Sequence, residues 1–270
     1  MYGVSARIAL ILAALAFGGP SHADRPPADA VVLVAGATGE TGAHVVRQLI
    51  EAGLNVRGLV RDPEKALNEL GDRAQWVQGD VRDPAGLTVA MNGVTHVVSA
   101  IGSREREGPN SFEFVDWGGN RNLIDAAKAA GVRRFVLLTS GTAGIGSLDD
   151  ALSRRFGPGR IWKGRAEQHL RDSGLDYAVV APGGLRDYAG GEREVVLKAR
   201  RDYAIGAVSR ADVAAVMVEC LFSPACARKT VTVINGKGPA NDWRANLAAV
   251  PVDTPETYSG SLKQLEGPLP

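Results

Sequence analysis

Residues 31–61 read VVLVAGATGETGAHVVRQLIEAGLNVRGLVR. The stretch has a continuously apolar segment, a glycine-rich turn, a helical pattern of apolar residues, and a second apolar segment. Gly36 lets the chain turn sharply off the first strand, Gly39 leaves room for a bound pyrophosphate, and Gly42 lets the helix pack close to that strand. Phosphates bind at the N-terminus of such a helix. The stretch therefore predicts a dinucleotide-binding strand–turn–helix–strand unit.

The end of the second predicted strand indicates which dinucleotide is bound. An acidic residue there suits a free ribose 2′-hydroxyl, whereas a basic residue suits a 2′-phosphate. The residue here is Arg61, so we expect NADP(H) to be preferred over NAD(H). Two alternatives stay open: Arg61 is a solvated charge at a strand end, or the nearby Arg57 takes its place.

Strand and helix patterns alternate along the rest of the chain, as a doubly wound parallel sheet, the Rossmann fold, requires. Further strands are predicted at 74–79, 94–100, 134–139 and 230–235, with a helix at 114–130. Ligands of such sheets bind at the carboxyl ends of the strands. From the turn and these strand ends, the predicted cofactor-binding residues are Gly36, Thr38, Gly39, Glu40, Thr41, Gly42, Arg61, Asp80, Val81, Ala100, Ile101, Gly102, Thr139 and Ser140.

Composition narrows the classes of partner. The 270 residues include 31 Lys and Arg against 30 Asp and Glu, so no net field attracts nucleic acid or an anionic membrane, and we expect neither partner. The 4 histidines are scattered and no zinc-type Cys/His spacing occurs, so no metal site is predicted. The oligomeric state is left open.

The first residues have a pattern of their own. One positive charge precedes an unbroken apolar run over 8–17, and Ser21-His22-Ala23 supplies small residues at a cleavage position. This predicts a signal peptide at 1–23, export to the periplasm or medium, and no stable membrane insertion after cleavage. Because pyridine nucleotides are cytosolic, export conflicts with the predicted cofactor. A mis-assigned start, with a cytoplasmic protein, is the alternative.

The remaining chain divides by composition. A linker at 24–30 leads into the nucleotide-binding domain at 31–236, which includes a substrate region near 183–210. After Gly236 prolines are frequent and periodicity is weak, so 237–270 is predicted to be a loosely structured tail. Cys220 and Cys226 flank Pro224, and a short-loop disulfide is geometrically possible. We favour the interpretation that they are two ordinary small apolar residues.

Several motifs together resemble a known family. They are GATGETG, QGDVRD, VDWGGNRNLIDAAKAAGVRRFVLLTS, KGRAEQHLRDSGLDYAVVAPGGL and VSRADVA, in this order between about Val31 and about Ile234. The chain resembles atypical short-chain dehydrogenases/reductases of the NmrA-like and biliverdin-reductase-B-like group. The resemblance implies a Rossmann fold that binds NADP(H), with a small C-terminal substrate region. It also implies a cofactor that reaches Pro182 and Gly183, with Lys163 at the nicotinamide ribose.

The chain departs from the family's conventional catalytic pattern. In catalytically conventional relatives a tyrosine precedes the lysine by four residues and exchanges a proton with the substrate. Here Gly159 stands at that position, while Gly141 and Thr142 stand where many relatives have a serine. Asp116 stands where related families carry a helical asparagine, and an acidic residue at the entry of a helix is an equally good account of it. Lys163 is the one catalytic candidate, and a solvated helix lysine is its alternative interpretation.

Two functions from different classes fit this pattern. Because flavins and quinones accept hydride at a ring atom and take a proton from water, hydride transfer from NADPH to a flavin-, quinone- or tetrapyrrole-like acceptor needs no catalytic tyrosine. The small-molecule acceptor would lie against Trp162, Leu185 and Tyr188, with Ile145 nearby. The alternative is a non-catalytic regulatory or assembly protein that binds NADP(H).

Overall fold

The computed structural model describes residues 26–259. The predicted signal peptide at 1–23 lies outside the described residues, as do 24–25 of the linker and 260–270 of the tail. The strands are β1 (Val31–Ala35), β2 (Asn55–Val60), β3 (Gln75–Gln78), β4 (His96–Ser99), β5 (Arg134–Leu138), β6 (Tyr177–Pro182), β7 (Gly184–Arg186), β8 (Arg193–Lys198), β9 (Ala207–Ser209) and β10 (Lys229–Pro239). The helices are α1 (Glu40–Glu51), α2 (Pro63–Leu70), α3 (Pro84–Ala90), α4 (Asn120–Ala129), α5 (Ala151–Phe156), α6 (Gly159–Asp172), α7 (Arg210–Phe222) and α8 (Pro255–Tyr258), and Glu113–Gly119 form a π-helix.

Eight strands form one sheet in the order β3-β2-β1-β4-β5-β6-β10-β8. All neighbours are parallel except β8, which runs antiparallel to β10. The order reverses between β1 and β4, because the chain moves outward from β1 to β3 and then returns to the other side of β1. This reversal opens a crevice at the carboxyl ends of β1 and β4, which is where such sheets bind ligands.

Helices cover both faces of the sheet and bury two apolar clusters. On one face α1 contributes Val45, Val46 and Leu49, each fully buried, and packs beside α7. On the other face α4 contributes Leu123 and Ile124, also fully buried, and packs beside α3 and α6. The strands between the two clusters are apolar on both sides, which explains their continuous hydrophobic pattern. The predicted doubly wound Rossmann fold is confirmed.

The chain after Gly236 packs against the sheet, so the prediction of a loosely structured tail is wrong for 237–259. β10 continues to Pro239, and a 3₁₀ segment at Trp243–Ala249 then buries Trp243, Leu247 and Val250 against the first apolar cluster. The Lys229 ammonium donates to the Leu247 carbonyl oxygen at 2.9 Å. The segment lacks periodicity because it is held by isolated apolar anchors and hydrogen bonds, which leave no repeating pattern in the sequence.

Cys220 and Cys226 form a disulfide bond, contrary to the interpretation favoured from the sequence. A short 3₁₀ turn at Pro224–Cys226 follows α7 and folds back toward it, which brings the two Cα atoms to 5.1 Å. Both side chains are fully buried. The reversal of direction at Pro224 decides the pairing, and spacing alone could not show it.

A separate parallel pair, β7 and β9, lies beyond the carboxyl end of β6. It falls in the substrate region predicted near 183–210. Among residues 26–259, no helix is both long enough and apolar enough to cross a membrane.

Candidate nucleotide-binding site

The crevice between β1 and β4 is a cleft of about 500 Å³. It is bounded by the glycine-rich turn after β1, the ends of β2 and β3, and the loop after β4. Its lining includes nine of the predicted cofactor residues, namely Gly36, Thr38, Gly39, Arg61, Asp80, Val81, Ala100, Ile101 and Gly102. Glu40, Thr41 and Gly42 form the first turn of α1, next to Gly39 at the edge of this cleft.

The glycine-rich turn has a geometry that side chains would destroy. Gly36 has a φ of 78°, and a Cβ there would lie 2.8 Å from the Ala100 carbonyl oxygen. A Cβ on Gly42 would lie only 2.0 Å from the Gly36 carbonyl oxygen. The turn therefore approaches both β4 and the first turn of α1 as closely as bare backbone allows. The result is a cradle open to phosphate at the N-terminus of α1.

Glu40 joins two arginines at the edge of this cradle. Its carboxylate accepts hydrogen bonds from the Arg104 guanidinium at 2.9 and 3.0 Å and from Arg210 at 2.7 Å. These bonds hold the pKa of Glu40 below its usual value, with the Arg104 hydrogen bond as the largest cause. Arg104 follows β4 and lines the cleft, whereas Arg210 begins α7. Sequence reasoning predicted Glu40 but missed both arginines, which lie far from it in the chain.

The end of the cleft at β2 and α2, where the sequence predicts the adenosine to bind, is basic. Arg61 and Lys65 both line it, from the end of β2 and the first turn of α2. Asp62 supplies the N-cap of α2, because its carboxylate accepts the Lys65 amide at 3.0 Å. Arg57 is engaged elsewhere, since its guanidinium donates to the carbonyl oxygens of Ala90 and Asn92. Of the two arginines, Arg61 is therefore the one that lines the cleft, directly after β2, and its contact with a 2′-phosphate stays a prediction.

Asp80 and Arg82 form a rigid pair along the same wall. Two guanidinium nitrogens of Arg82 donate to the two carboxylate oxygens at 2.8 and 2.5 Å, and this pairing is the largest cause of the lowered pKa of Asp80. Arg82 also donates to the Pro109 carbonyl oxygen at 2.9 Å, which ties the loop after β4 to the end of β3. The QGDVRD motif carried this arginine, although its bidentate contact was not predicted.

Asp116 and Lys163 meet beside Gly102 of the cleft lining, where a Cβ on Gly102 would lie 3.5 Å from the Lys163 nitrogen and 3.6 Å from an Asp116 carboxylate oxygen. The Lys163 ammonium lies 2.6 Å from one carboxylate oxygen of Asp116, and the Ser103 amide donates to the other at 2.9 Å. Asp116 is fully buried and Lys163 largely so, with 19% of its side chain exposed. The alternative interpretation of Lys163, as a solvated lysine on a helix, is therefore wrong.

A π-helix places Asp116 in this position. The predicted helix at 114–130 is a π-helix at Glu113–Gly119 followed by α4. At the junction, the side-chain nitrogen of Asn120 donates to the backbone carbonyl oxygen of Asp116 at 2.8 Å. The side-chain oxygen of Asn120 accepts a hydrogen bond from the Ser99 hydroxyl at 2.6 Å. The wider π turn is therefore tied to the end of β4. Single π turns within helices occur frequently at functional sites.

At Gly159, where conventional relatives have the catalytic tyrosine, the space for a side chain is taken by Phe112. A Cβ on Gly159 would lie 2.8 Å from Cδ1 of Phe112, so the Phe112 ring occupies the space that a side chain at this position would need. Ser140 and Thr142 share a hydrogen bond of 3.0 Å between their hydroxyls. The Gly141 amide donates to the Pro182 carbonyl oxygen at 2.8 Å. Neither Gly141 nor Gly159 supplies a proton donor.

The remaining predicted residues lie beyond the cleft lining. Thr139 and Ser140 follow β5, and Pro182 and Gly183 lie at the end of β6 next to them. A Cβ on Gly183 would lie 2.2 Å from the Gly206 carbonyl oxygen, so the backbone there packs against the turn before β9. These residues extend the rim from Gly102 along the carboxyl ends of β5 and β6, and their contact with a cofactor stays a prediction.

The predicted acceptor residues are spread over the rim. Trp162 is buried beneath the Arg165 guanidinium, which lies 4.4 Å from its ring centroid. Leu185 is partly buried against the first apolar cluster, and Ile145 is buried. The Tyr188 hydroxyl donates to the side-chain oxygen of Asn235 at 2.9 Å. Within the described chain, none of these four belongs to the cleft lining, and their role stays a prediction.

Together the glycine cradle, the basic adenosine end and the Asp116–Lys163 pair fit a pyridine dinucleotide. The cradle is bare backbone at Gly36 and Gly42, where a Cβ would clash, and the first turn of α1 offers amide donors for phosphate. Within 26–259, His, Cys, Asp and Glu side chains form no group suited to a metal ion. The fold and site define the class of Rossmann-fold proteins that bind NAD(P)H.

Comparison with known proteins gives the family. A family model described as NAD(P)H-binding matches residues 36–224. The chain is 34% identical to sanguinarine reductase from Eschscholzia californica over 70% of this chain and 83% of that protein. It is 35% identical to an NAD(P)H azoreductase from Xenophilus azovorans over 72% of this chain and 64% of that protein.

A solved structure agrees with the two sequence relatives. An anaerobilin reductase from Escherichia coli O157:H7 superposes with a TM-score of 0.63 at 28% identity, covering 77% of this chain and 98% of that one. The chain belongs to the NAD(P)H-binding family, among the atypical, NmrA-like short-chain dehydrogenases/reductases. The resemblance found in the sequence motifs is confirmed.

Proposed function

We propose that the protein is a reductase that takes hydride from NADPH and delivers it to a flavin-, quinone- or tetrapyrrole-like acceptor. One observation carries the proposal: the cradle and the Asp116–Lys163 pair are intact, while Phe112 fills the place of a catalytic tyrosine at Gly159. A ketone or alcohol substrate needs a proton donor at that place. Conjugated ring acceptors do not, because water can supply the proton after hydride transfer.

The preference for NADPH over NADH rests on the charges at the adenosine end. Arg61 and Lys65 line the cleft from β2 and α2, where a 2′-phosphate would lie. Asp62 uses one carboxylate oxygen to cap α2, and the Lys65 ammonium lies 3.8 Å from Glu69. The Arg61 guanidinium on the cleft wall is therefore the charge that favours the phosphorylated cofactor.

The chain's own residues bind and orient, and they do little acid–base work. When bound, the nicotinamide ring supplies the hydride. Lys163, which pairs with Asp116, would donate hydrogen bonds to the hydroxyls of the nicotinamide ribose. Ser103 holds the Asp116 carboxylate from the other side, so the pair cannot swing out of the site. Orientation of this kind is a large part of catalysis when the chemistry belongs to the cofactor.

The names of the relatives support a redox role. Three similar proteins are reductases of different acceptors: sanguinarine reductase, NAD(P)H azoreductase and an anaerobilin reductase. They agree on reduction and differ in acceptor. This variety fits a site that fixes the nicotinamide closely and selects the acceptor on the rim.

We also propose that the protein works outside the cytoplasm. The buried disulfide between Cys220 and Cys226 supports this location, because disulfides persist in oxidising compartments and are rare in the cytosol. The charge and apolar pattern of 1–23 is the second support.

Steady-state NADPH oxidation tests the proposed function. The purified protein is mixed with NADPH and, in separate reactions, with FMN or a soluble quinone, and loss of nicotinamide absorbance is followed. We expect oxidation that requires the acceptor and that is weakened in a Lys163→Met variant. The matched control is Lys128→Met, which removes a lysine from the exposed end of α4. Tight NADPH binding without oxidation by either acceptor would contradict the reductase and favour the non-catalytic binding protein.

A further inference from the structure

Three charged residues of α6 lie on its buried face at four-residue spacing. They are Lys163, Glu167 and Arg171, with side chains 19%, 1% and 8% exposed. Residues four apart share one face of a helix, so the three form a polar stripe along an otherwise apolar contact surface. Lys163 serves the nicotinamide end of the cleft. Glu167 and Arg171, one and two turns further on, have no part in the function described above.

Glu167 is bound by an arginine from outside the nucleotide-binding core. Arg200, in the 3₁₀ turn after β8, is only 2% exposed and places two guanidinium nitrogens 2.5 and 2.6 Å from the two carboxylate oxygens. Burial by itself would raise the pKa of Glu167, but the Arg200 and Arg171 charges outweigh it and the pKa lies below its usual value. Glu167 is therefore held as a carboxylate inside the protein.

The same guanidinium reaches the loop that follows β5. It donates to the carbonyl oxygens of Ser140 and Ala143, each at 3.2 Å. Tyr203, three residues after Arg200, packs its ring on the middle of this loop, where a Cβ on Gly141 would lie 2.4 Å from Cζ of the ring. The turn at 200–203 therefore contacts the loop at 140–143 at both ends and at its centre.

A buried ion pair is poor evidence for stability, because apolar residues of the same shape often stabilise a fold equally well. An apolar residue in place of Arg200 could not, however, bond the Glu167 carboxylate and two backbone carbonyl oxygens of one irregular loop at the same time. That loop carries Ser140 and Thr142 and is joined through Gly141 to Pro182. It lies at the rim where the nicotinamide and acceptor are expected to meet.

We propose that Arg200, held by Glu167, is a positioning residue that fixes the 140–143 loop against the nicotinamide and its acceptor. The expected effect on acceptor kinetics rests on the proposed function, whereas the expected effects on melting temperature and on nicotinamide fluorescence do not. Arg200 itself touches neither reactant. It acts through the loop, and it links the β8–β9 region to the catalytic rim so that the two move as one body.

Replacement of the Arg200–Glu167 pair by apolar residues distinguishes an effect on the position of the loop from an effect on the stability of the fold. Arg200→Met alone leaves Glu167 buried with one partner fewer and should lower the melting temperature. In Arg200→Met/Glu167→Leu the Glu167 carboxylate is gone as well, and Arg171 keeps its ion pair with Asp253 at 3.1 Å, so we expect the melting temperature to return toward that of the wild type. Both variants remove the guanidinium that bonds the loop carbonyls, so the Ala143 carbonyl oxygen loses its hydrogen bond and the Ser140 carbonyl oxygen keeps only the Ala143 amide. We therefore expect kcat/KM for the acceptor to fall at least about tenfold in both, with the dissociation constant of NADPH nearly unchanged.

Arg134→Met is the matched control. Arg134 is also a buried arginine that bonds a carboxylate, Asp176, and two carbonyl oxygens, those of Cys220 and Ser223. It lies at the opposite end of β5, away from the loop. Its loss should lower the melting temperature as Arg200→Met does, but leave acceptor kinetics intact.

A second readout keeps the test independent of turnover. Nicotinamide fluorescence of bound NADPH reports the surroundings of the ring, whereas affinity is dominated by the phosphate and adenosine contacts. We expect both Arg200 variants to lose most of the fluorescence change at an unchanged dissociation constant. If the wild type oxidises no NADPH, the proposed function fails and this signal alone tests Arg200. Recovery of acceptor kinetics and fluorescence in the double variant would overturn the positioning role, as would equal losses in Arg134→Met.

Discussion

At the scale of single residues, Arg61 has the most specific predicted effect. It lines the cleft beside Lys65, and its charge should bind the phosphate that distinguishes NADPH from NADH. In Arg61→Glu we expect NADPH affinity to fall at least about tenfold, the loss typical of a charge-assisted contact of 1.5–3 kcal/mol, while NADH affinity changes little. Fluorescence titrations with both nucleotides measure this difference.

Arg47→Glu is the control for the charge change. Arg47 is exposed on α1 and carries the same charge away from the cleft. It should leave both affinities unchanged. Equal losses for NADPH and NADH in Arg61→Glu would show that Arg61 shapes the site without reading the phosphate.

Asp116→Asn tests the pair that fixes Lys163. The substitution keeps the shape of the buried side chain and its contact with the Ser103 amide, but removes the charge that holds the ammonium. We expect kcat/KM for NADPH oxidation to fall about tenfold, since small misplacements of positioning groups are costly. The measurement is the steady-state rate with FMN or a quinone as acceptor.

A double variant identifies the cause of that loss. If Asp116 acts through Lys163, Asp116→Asn/Lys163→Met should be no slower than Lys163→Met alone. Asp125→Asn is the control, because Asp125 is an exposed α4 carboxylate paired with His169. Losses that add in the double variant would mean that Asp116 contributes independently.

The sequence predicted the glycine cradle and Arg61 but not the pairing of Asp116 with Lys163 or of Arg200 with Glu167, and the reason is physical. The glycine cradle and Arg61 depend on backbone geometry and strand position within about thirty residues of chain, which local patterns encode. The Asp116 partner of Lys163 is 47 positions away, and Arg200 is 33 positions from Glu167. A single sequence shows the charges but not which of them meet, because that depends on how helices and turns dock.

At the scale of elements, the start of β4 is sensitive to pH through His96. Its ring packs against Phe222 of α7 with centroids 4.8 Å apart. Burial lowers the pKa of His96 from 6.5 to about 4, helped by the nearby charges of Arg133 and Arg134 and opposed by Asp29. The folded protein therefore keeps this imidazole neutral at a pH where the unfolded chain protonates it.

The sign of the effect follows from proton counting. Between pH 6.5 and about 4 the unfolded state binds one proton more at His96, so the stability is lost as the pH falls through this window. The loss is at most about 1.4 kcal/mol per pH unit. Urea unfolding at pH 7 and pH 5 should show a larger decrease in the wild type than in His96→Gln. Identical decreases in the two proteins would contradict a neutral buried His96.

Elements were easier to predict than their irregularities. Apolar runs and helical spacing located the central strands and α1 because each buries a regular face. The π-helix at Glu113–Gly119 was predicted as ordinary helix, since one extra residue in a turn barely alters the spacing of Val115, Leu123 and Ile124. That residue nevertheless decides that Asp116 points at Lys163.

At the scale of the whole molecule, the segment after β10 contributes a buried carboxylate to the fold. Asp253 accepts hydrogen bonds from Arg171, Tyr177 and the Thr230 amide, and it is almost fully buried. Burial and this carboxylate raise the pKa of Tyr177 above its usual range. The proline-rich composition of 237–270 suggested a loose segment, because composition does not show that the Asp253 carboxylate and Trp243 are buried.

The disulfide between Cys220 and Cys226 should stabilise the whole fold without affecting the cofactor site. It closes the turn after α7, and the carbonyl oxygens of Cys220 and Ser223 inside that turn accept the buried Arg134 guanidinium. A loop this short gives about 2 kcal/mol by restricting the unfolded chain. For a protein of this size we expect reduction to lower the melting temperature by roughly 4–8 °C.

Thermal unfolding with and without a reductant measures the shift, under conditions where unfolding is reversible. Cys220→Ala/Cys226→Ala should melt at the lower temperature in both cases, which excludes an effect of the reductant itself. NADPH affinity should be the same in all samples, because the disulfide lies at the C-terminal end of α7 and the cleft lies at the carboxyl ends of the strands. A wild type with two free thiols after purification without reductant would contradict the disulfide and remove the structural support for a location outside the cytoplasm.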